Sequence, residues 1–555
     1  MNPWLQHLPV VPIVAPLATG AAMLLFGESR RVPRVALALT SAFVQLVAAA
    51  TLLYLSSDAV PEVWPEGIGV YGIGGWPAPF GIVLVVDRLS ALMLTLGTVL
   101  GLAALVYSLT RWDRVGVHYH PLFQFLMMGL AGAFLTGDLF NLFVFFEVLL
   151  AASYGLLLHG SGRARVKAGL HYIVVNLLSS LAFLVGVAMI YGVAGTLNMA
   201  DLAVHWPALQ GGDRALFEAG AAILGVAFLV KAGSWPLNFW LPPAYAAAGA
   251  SVAAVLAIMT KVGVYAILRL GSLLADTGAP APFGGPLLFY LAIATMVLGI
   301  VGMLATQQLE RLIAFTVIMS SGILLAALGT GAPSMTAPAL FYLVNSVLAT
   351  GAFFMLAGMI ERVRTTVPER ADAAALAPAT YAAFAVEDPP DPYGPDDEIG
   401  LAIPAAMAFL GLAFLCCGLL VTGLPPLSGF IAKFALLSAA FGAAGGEGPG
   451  PDEWLLIWVL IGGGLAAVIA LTRKGMRVFW SGAERVTPRL RIIEAGPVAF
   501  LVSLCIALTV VAGPVMTYLD SIAHMLQTPQ IYVRAVLSPH AGTPPDEAGH
   551  GQAGP

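Results

Sequence analysis

Charged residues are scarce in this sequence. Asp, Glu, Lys and Arg make up 10% of the 555 residues, whereas a soluble globular chain carries about 25%. Hydrophobic residues account for 59%, and the mean hydropathy is +0.90. So few charges cannot cover the surface of several soluble domains, and a soluble multidomain protein is therefore excluded. The composition indicates an integral membrane protein.

Cysteine and nucleotide-binding motifs are scarce or missing as well. Cys416, Cys417 and Cys505 all lie within apolar runs, and their spacing fits neither a metal site nor a disulfide framework. The sequence has no Walker motif, no glycine-rich dinucleotide loop and no recognisable quinone site. The basic clusters are short and give no nucleic-acid footprint. We therefore predict no metal, no cofactor and no nucleic-acid partner, and ion movement that ATP does not drive directly.

Long apolar segments recur along almost the whole chain. Each crossing of the hydrocarbon core requires about 20 residues, and crossing segments must be helices because their backbone groups have to be paired internally. The first segment has no basic flank or small-residue cleavage site, so we predict that it is a retained helix rather than a signal peptide. The fourteen predicted spans are 8–27, 33–55, 86–109, 120–136, 138–158, 167–193, 216–235, 246–271, 286–305, 311–330, 336–361, 401–422 with a continuation at 430–441, 453–472 and 495–518.

Basic residues predict the orientation of these spans. Most of the 25 Lys and Arg residues fall in alternate loops, which all lie on one side of the membrane. The positive-inside rule assigns that side to the cytoplasm. We therefore predict that both termini lie outside the cytoplasm, that 56–85 is an external loop and that the acidic, proline-rich segment 365–399 is cytoplasmic. The tail at 538–555 has a composition typical of disorder.

Four ionisable residues lie well inside apolar spans: Glu147, Lys231, Lys261 and Lys433. Each costs about 3 kcal/mol or more at the centre of a helix unless it is paired or hydrated, so such residues indicate ion or proton pathways. The structural alternatives are a static ion pair for Glu147, snorkelling for Lys231 and a structural role for Lys261. We favour a switchable pair of Glu147 with Lys231, because a permanently buried pair contributes little stability.

Two of the lysines stand beside predicted helix breaks. Breaks at membrane depth are tolerated only where they are buried or line water, and paired interruptions indicate a transporter pathway. The predicted break residues are Gly233 and Pro236 near Lys231, and Gly423, Pro425, Pro426 and Gly429 before Lys433. Further polar residues could relay protons through water, although His171 and Asn345 could equally be structural. The possible relay residues are Asp138, His171, Asn176, Ser179, Thr260 and Asn345.

These motifs closely resemble the family of proton-pumping subunits shared by respiratory complex I and the Mrp-type multisubunit sodium–proton antiporters. The resemblance covers about residues 5–537, and its strongest motifs are 137–147 (GDLFNLFVFFE), 231–242 and 423–433. Other segments look specifically like the D subunit of the Mrp antiporters: 75–82, 87–91, 195–199 and 529–537.

The resemblance implies an all-α fold of about fourteen transmembrane helices with two inverted five-helix repeats and two broken helices. It divides the chain into three N-terminal helices (1–110), a first repeat (120–271), a second repeat (286–472) and helix 14 (495–518). It also implies a proton relay through Glu147, Lys231, Lys261 and Lys433. Relatives often have His where Asn345 or Ser346 stands here, so we expect the central relay to depend more on water.

The function implied is exchange of sodium or another monovalent cation for protons, by a subunit that works with other membrane subunits in the cell membrane. One alternative is a pump subunit of a complex I-like NADH–quinone oxidoreductase or a membrane-bound hydrogenase. The turn at 308–311 (QLER) lacks the Asp and Lys common in complex I subunits, which favours the antiporter. A second alternative is a structural scaffold that carries no ions.

Overall fold

The computed structural model describes residues 3–26, 30–57, 63–76, 78–116, 118–275, 283, 285–375, 403–442, 448–479 and 490–538. Most of the predicted acidic loop 365–399 and nearly all of the predicted tail 538–555 lie outside these residues. Apart from one hairpin, the regular structure described is helical. Its two strands, β1 (Gly69–Gly72) and β2 (Val83–Val86), pair antiparallel with Gly69 opposite Val86.

Twenty α-helices make up the described part of the chain. In chain order they are α1 (Pro3–Gln6), α2 (Val11–Leu24), α3 (Arg31–Leu55), α4 (Arg88–Ser108), α5 (Tyr119–Leu135), α6 (Leu139–Leu158), α7 (Arg163–Ala194), α8 (Met199–His205), α9 (Gly211–Ala232), α10 (Leu241–Ala247), α11 (Ala250–Leu273), α12 (Pro286–Ala305), α13 (Leu309–Gly329), α14 (Thr336–Ala375), α15 (Ile403–Thr422), α16 (Ser428–Gly442), α17 (Pro451–Phe479), α18 (Ile492–Val510), α19 (Ala512–Leu526) and α20 (Pro529–Leu537).

The predicted number of membrane spans agrees with these helices. Twelve described helices are long and apolar enough to cross a membrane. Two shorter apolar helices, Leu8–Leu24 and Tyr119–Leu135, correspond to predicted spans 1 and 4. A third, α16, continues the interrupted span that α15 begins. An all-α polytopic membrane protein with about fourteen spans is thereby confirmed.

The two predicted repeats are also present. Spans 4–8 are α5, α6, α7, the interrupted pair α9 and α10, and α11. Spans 9–13 are α12, α13, α14, the interrupted pair α15 and α16, and α17. The fourth span is broken in each set. Because five crossings are an odd number, the second set starts on the opposite side from the first, and the two sets are inverted. The domain boundaries assigned from the sequence remain a prediction.

Several predicted span ends, and the content of one predicted loop, differ from the structure. Span 8 starts at Ala250 rather than 246, because α10 belongs to the interrupted span 7. Span 14 ends at Val510 rather than 518, because Pro514 lacks the N–H that would continue the helix. The loop 56–85 contains the β1–β2 hairpin, which its Gly- and Pro-rich composition did not reveal.

Three helices form the centre of the molecule. In their apolar windows, 89% of residues are buried in α11 and α13 and 94% in α14, against 39% in α7. A helix buried on all sides faces other helices rather than lipid, so a polar side chain on it can meet only protein or trapped water. Lys261 and Asn345 stand on two of these helices, α11 and α14.

Candidate proton pathway

The first helix break follows Lys231. Helix α9 ends at Ala232, and Gly233 takes a left-handed conformation with φ +71° that an L side chain rarely adopts. The N–H of Ser234 closes the helix end by donating to the carbonyl oxygen of Leu229 at 2.9 Å. The chain becomes helical again at Leu241. The predicted break at Gly233 and Pro236 is therefore present.

A threonine that sequence reasoning missed holds this break in place. The hydroxyls of Ser234 and Thr295 lie 3.0 Å apart, and the backbone N–H of Trp235 donates to the Thr295 hydroxyl oxygen at 2.9 Å. Thr295 belongs to α12, the first helix of the second repeat. The two repeats are thus joined at the break itself.

Lys231 makes no hydrogen bond within the part of the chain that the structure describes. Its Nζ lies over the ring of Phe146, 5.6 Å from the ring centre. Glu147, the next residue on α6, is half-buried, and its Oε1 is buried without a hydrogen-bond partner. No salt bridge of 4 Å or less joins Glu147 to Lys231 among the described residues. The two residues of the predicted pair are therefore neighbours that form no salt bridge.

A small cavity lies beside Lys231. Its volume is about 30 Å³, and a cavity of about 10–15 Å³ is large enough for one water molecule. Lys231, Asn176 and Thr260 all line it. The Asn176 amide nitrogen and the Thr260 hydroxyl donate to carbonyl oxygens of their own helices, so their oxygen lone pairs remain available as acceptors. The cavity can hold water between Lys231 and α11, the helix of Lys261.

Lys261 is almost fully buried, with 2% of its surface exposed. Its Nζ donates to the Ser321 hydroxyl oxygen of α13 at 3.2 Å. Two residues along α11, Gly263 allows close approach to α9, because a Cβ there would lie only 2.6 Å from the carbonyl oxygen of Phe228. This approach brings the helix of Lys261 against the end of the helix of Lys231.

The second break holds Lys433 by hydrogen bonds. Helix α15 ends at Thr422, and Gly423 again takes a left-handed conformation, with φ +76°. The Nζ of Lys433 donates to the carbonyl oxygens of Thr422 at 2.7 Å and Val421 at 3.3 Å. A Cβ on Gly423 would lie 2.5 Å from the Lys433 Cδ. The glycine therefore supplies both the turn and the space for the lysine.

Asn345 anchors this second break. Its Oδ1 accepts a hydrogen bond of 2.8 Å from the hydroxyl of Ser428, the first residue of α16. The break is thus tied to the buried helix α14, as the first break is tied to α12. This arrangement gives Asn345 a positioning role in addition to the relay role predicted for it.

The structure separates the other relay candidates from the cavity. Asp138 caps the N-terminus of α6, where its Oδ1 accepts from the N–H of Asn141 at 2.8 Å. Ser179 donates to the carbonyl oxygen of Ala227 at 3.1 Å and joins α7 to α9. His171 is exposed, unlike Asn176. These two predicted relay residues do not face one region, because five residues on a helix place side chains about 140° apart.

A buried ion pair was missed entirely. Both nitrogens of the Arg269 fork contact Asp87, at 2.6 Å (Nη1–Oδ2) and 2.7 Å (Nη2–Oδ1), and both residues are buried. Arg269 lies two turns beyond Lys261 on α11, and the ring of Tyr532 in α20 covers it with its centre at 5.1 Å. The pair joins α4, α11 and the C-terminal helix. No local sequence pattern indicates it, because 182 positions separate the partners.

A polar cluster lies outside the spans, between α4 and α5. Asp113 Oδ2 accepts from Arg31 Nε at 2.8 Å and lies 3.5 Å from His120 Nε2. Burial raises the pKa of Asp113, but His120 and Arg31 outweigh it and hold the pKa below its ordinary value. His159, at the end of α6, contacts the carbonyl oxygen of Trp112 at 2.9 Å. Burial lowers the pKa of the His159 imidazole below its ordinary value of 6.5.

Comparisons with known proteins agree with this geometry. Residues 136–386 match the family model for the transmembrane region of NADH:quinone oxidoreductases and Mrp antiporters. The D subunit of a probable K(+)/H(+) antiporter of Rhizobium meliloti is 51% identical over 549 residues, covering 98% of this chain and 100% of that protein. The D subunit of the Na(+)/H(+) antiporter of Alkalihalophilus pseudofirmus is 32% identical, covering 96% of this chain and 100% of that protein.

A solved structure is similar over nearly the full length. A chain in the Mrp complex from Dietzia superposes with a TM-score of 0.78 at 25% identity, covering 97% of this chain and 100% of that chain. The full-length identity to two antiporter subunits and the shared fold lead to the same conclusion. This chain belongs to the family of cation/proton antiporter D subunits.

Proposed function

We propose that this protein is one membrane subunit of a multisubunit antiporter that exchanges a monovalent cation for protons. Protons pass through it along Glu147, Lys231, Lys261 and Lys433. The observation that carries this proposal is the state of Lys231: it stands at a helix break, makes no hydrogen bond in the described part of the chain and faces a water-sized cavity next to Glu147.

The first step of the proposed path is a change in the charge of Glu147. When Glu147 is ionised, its charge attracts the Lys231 ammonium, which lies over the ring of the adjacent Phe146. When Glu147 takes a proton, this attraction is lost and Lys231 is free to give its own proton to water in the cavity. Burial in a low-dielectric interior makes both states sensitive to a single neighbouring charge.

The second step carries the proton across the centre of the molecule. Thr260 lines the cavity and precedes Lys261 on α11, and we propose that water at Thr260 passes the proton from Lys231 towards Lys261. Lys261 in turn donates to Ser321 on α13, whose hydroxyl both accepts and donates. The proposed path then enters the second repeat, where Lys433 lies beside the second break.

Lys433 acts as the gate of the second half of the path. Its ammonium is held by two carbonyl oxygens, which accept hydrogen bonds but cannot take up a proton. Release of a proton therefore requires water or another acceptor to reach the third N–H of Nζ, which makes no hydrogen bond to the described residues. In this proposal the second half of the path stays closed until that occurs.

We place the protein in the cell membrane with both termini outside the cytoplasm, because basic residues concentrate in loops on one side. The relatives differ in the cation that their names give, K(+) in one and Na(+) in the other. We therefore propose a monovalent cation and test both. Other membrane subunits complete the complex, as the Mrp structure and the subunit names of the relatives support.

Vesicles containing the whole complex test this function. A preformed pH gradient should dissipate when K⁺ or Na⁺ is added, without any reductant, and Glu147→Gln should remove the response. A pH change that appears only after NADH is supplied would instead support the complex I-like alternative. Normal exchange in both Glu147→Gln and Lys231→Ala would mean that the chain is a scaffold.

A further inference from the structure

A second, larger pocket lies away from the proton path. It is an open cleft of about 490 Å³ between the break after Lys231 and the facing ends of α12 and α13. Asn238, Phe239 and Pro242 form one wall, and Phe315 and Arg311 form the other. This volume falls in the range of 300–1,000 Å³ typical of ligand sites.

The polar groups of this pocket favour an anion. Arg311 lines it and has no hydrogen bond or ion pair within the described residues. Asn238 is only 2% exposed, and its amide nitrogen is buried without a partner. Asn238 lines the pocket, and because the last torsion of an Asn side chain is soft, its amide can rotate to offer this nitrogen to a bound anion. No carboxylate lines the pocket, since the neighbouring Glu310 is not part of its wall.

Two further cations lie near the pocket, together with one carboxylate, Glu310, in the first turn of α13. Arg473 and Lys474 at the end of α17 donate to the carbonyl oxygens of Leu304 and Gln307, near the mouth of the pocket. Arg311 lies in the first turn of α13, whose N-cap residue makes no side-chain capping bond. The N-terminal end of a helix carries partial positive charge and favours anions.

The position of the pocket favours a lipid over a soluble anion. Ala305 ends α12 and Leu309 begins α13, so Arg311 lies at the depth where a span ends and lipid phosphates lie. Phe239 and Val301 beside the pocket are 57% and 56% exposed, as expected for side chains facing lipid. Most of the wall is apolar and suits the glycerol and the first carbons of an acyl chain.

We propose that this pocket binds an anionic phospholipid, with its phosphate held by Arg311 and Asn238 and its acyl chain along Phe239 and Phe315. The wall that contains Asn238 and Phe239 is the unwound segment that follows Lys231, and Pro242 extends it into the first turn of α10. A bound lipid therefore supports the shape of the first break.

Lipid retention tests the site directly. The purified complex is exchanged into phosphatidylcholine with or without phosphatidylglycerol, and bound lipid is counted by native mass spectrometry. Loss of one charge-assisted contact weakens binding by about tenfold or more. We expect wild type to retain phosphatidylglycerol, Arg311→Gln and Asn238→Leu to retain about tenfold less, and Arg163→Gln to match wild type. Arg163 is a suitable control because it is exposed at the start of α7.

Several outcomes would overturn the lipid site. They are equal retention of both lipids by wild type, equal losses in Arg311→Gln and Arg163→Gln, displacement of phosphatidylglycerol by inorganic phosphate, and crosslinking of position 311 to another subunit instead of lipid. Exchange should rise with phosphatidylglycerol in wild type and Arg163→Gln but not in Arg311→Gln. Only the exchange measurement rests on the proposed function. If exchange fails, lipid retention still tests the site, because it does not depend on transport.

Discussion

The two helix breaks have similar backbones, but their lysines make different contacts. Both follow a left-handed glycine, Gly233 or Gly423, and both are tied to a helix of the second repeat. Lys231 comes before its break, and its Nζ faces an aromatic ring without a hydrogen bond to the described residues. Lys433 comes after its break and donates to two open carbonyl oxygens.

Helix geometry explains this difference. The Cα–Cβ bonds of a helix tilt towards its N-terminus. Lys231 lies one residue before the end of α9, so its side chain points back, away from the open carbonyl groups of that end. Lys433 lies in the second turn of α16, so its side chain points back towards the break and reaches the end of α15. The same local motif therefore leaves Lys231 without a hydrogen bond to the described residues and holds Lys433 by two.

The largest effect should come from removing the charge of Lys231 or of Glu147. We expect Lys231→Met and Glu147→Gln each to abolish exchange, because the switch needs both charges, while the complex still assembles. The measurements are proton flux in vesicles and recovery of the intact complex. Lys167→Met is the control, since Lys167 is an exposed lysine at the start of α7. Near-normal flux in either relay variant would remove Glu147 and Lys231 from the path.

Replacing the fixed lysine should lower stability as well as exchange. Lys433→Met leaves the carbonyl oxygens of Thr422 and Val421 without their donor, which costs about 1–3 kcal/mol. Lys231→Met removes a buried charge without a hydrogen bond and should leave stability unchanged or raise it. Thermal unfolding of the purified complex compares the two. Equal loss of stability in both variants would contradict the contrast between the breaks.

The glycines offer a finer comparison. Alanine in a left-handed conformation costs about 1–2 kcal/mol at either position, so Gly233→Ala and Gly423→Ala should be destabilised alike. Only Gly423→Ala places its Cβ against the lysine, at 2.5 Å from Cδ, whereas Gly233→Ala meets Leu241 at 2.8 Å. Exchange should therefore fall further in Gly423→Ala at matched stability. The reverse order would mean that the contacts of Lys433 do not matter for transport.

The sequence was sufficient for features that depend on local composition. The length of the apolar segments predicted the spans, and a glycine with a proline two or three positions later predicted each break. Both signals lie within a short stretch of sequence. The anchors Thr295 and Ser321 and the pair Asp87–Arg269 were missed, because their partners lie 60 to 182 positions away. Glu147 and Lys231 lie near each other as predicted, but they form no salt bridge among the described residues. The sequence does not give this detail, because the direction of the Lys231 side chain depends on its distance from the helix end.

The smallest expected effect concerns pH, and it distinguishes the two repeats. Residues 286–472 contain no histidine, whereas the first repeat has His159 at the end of α6. Burial lowers the pKa of His159 in the folded protein, so the unfolded chain binds more protons as the pH falls through about 6.5. Stability should then decrease with falling pH, because the unfolded state is favoured by proton uptake.

Neighbouring groups set the size and range of this effect. His159 faces the carbonyl oxygen of Trp112, the charge of Arg165, and the pair of Asp113 with His120. The lowered pKa of Asp113 contributes stability that is lost only as the pH falls through that lower value, well below the histidine range. Thermal unfolding between about pH 8 and pH 5 therefore reports on histidine. We expect His159→Asn to flatten this pH dependence and the exposed His524→Asn to leave it unchanged. If both variants kept the wild-type slope, burial of His159 would not be its source, and the first repeat would be no more sensitive to acid than the second.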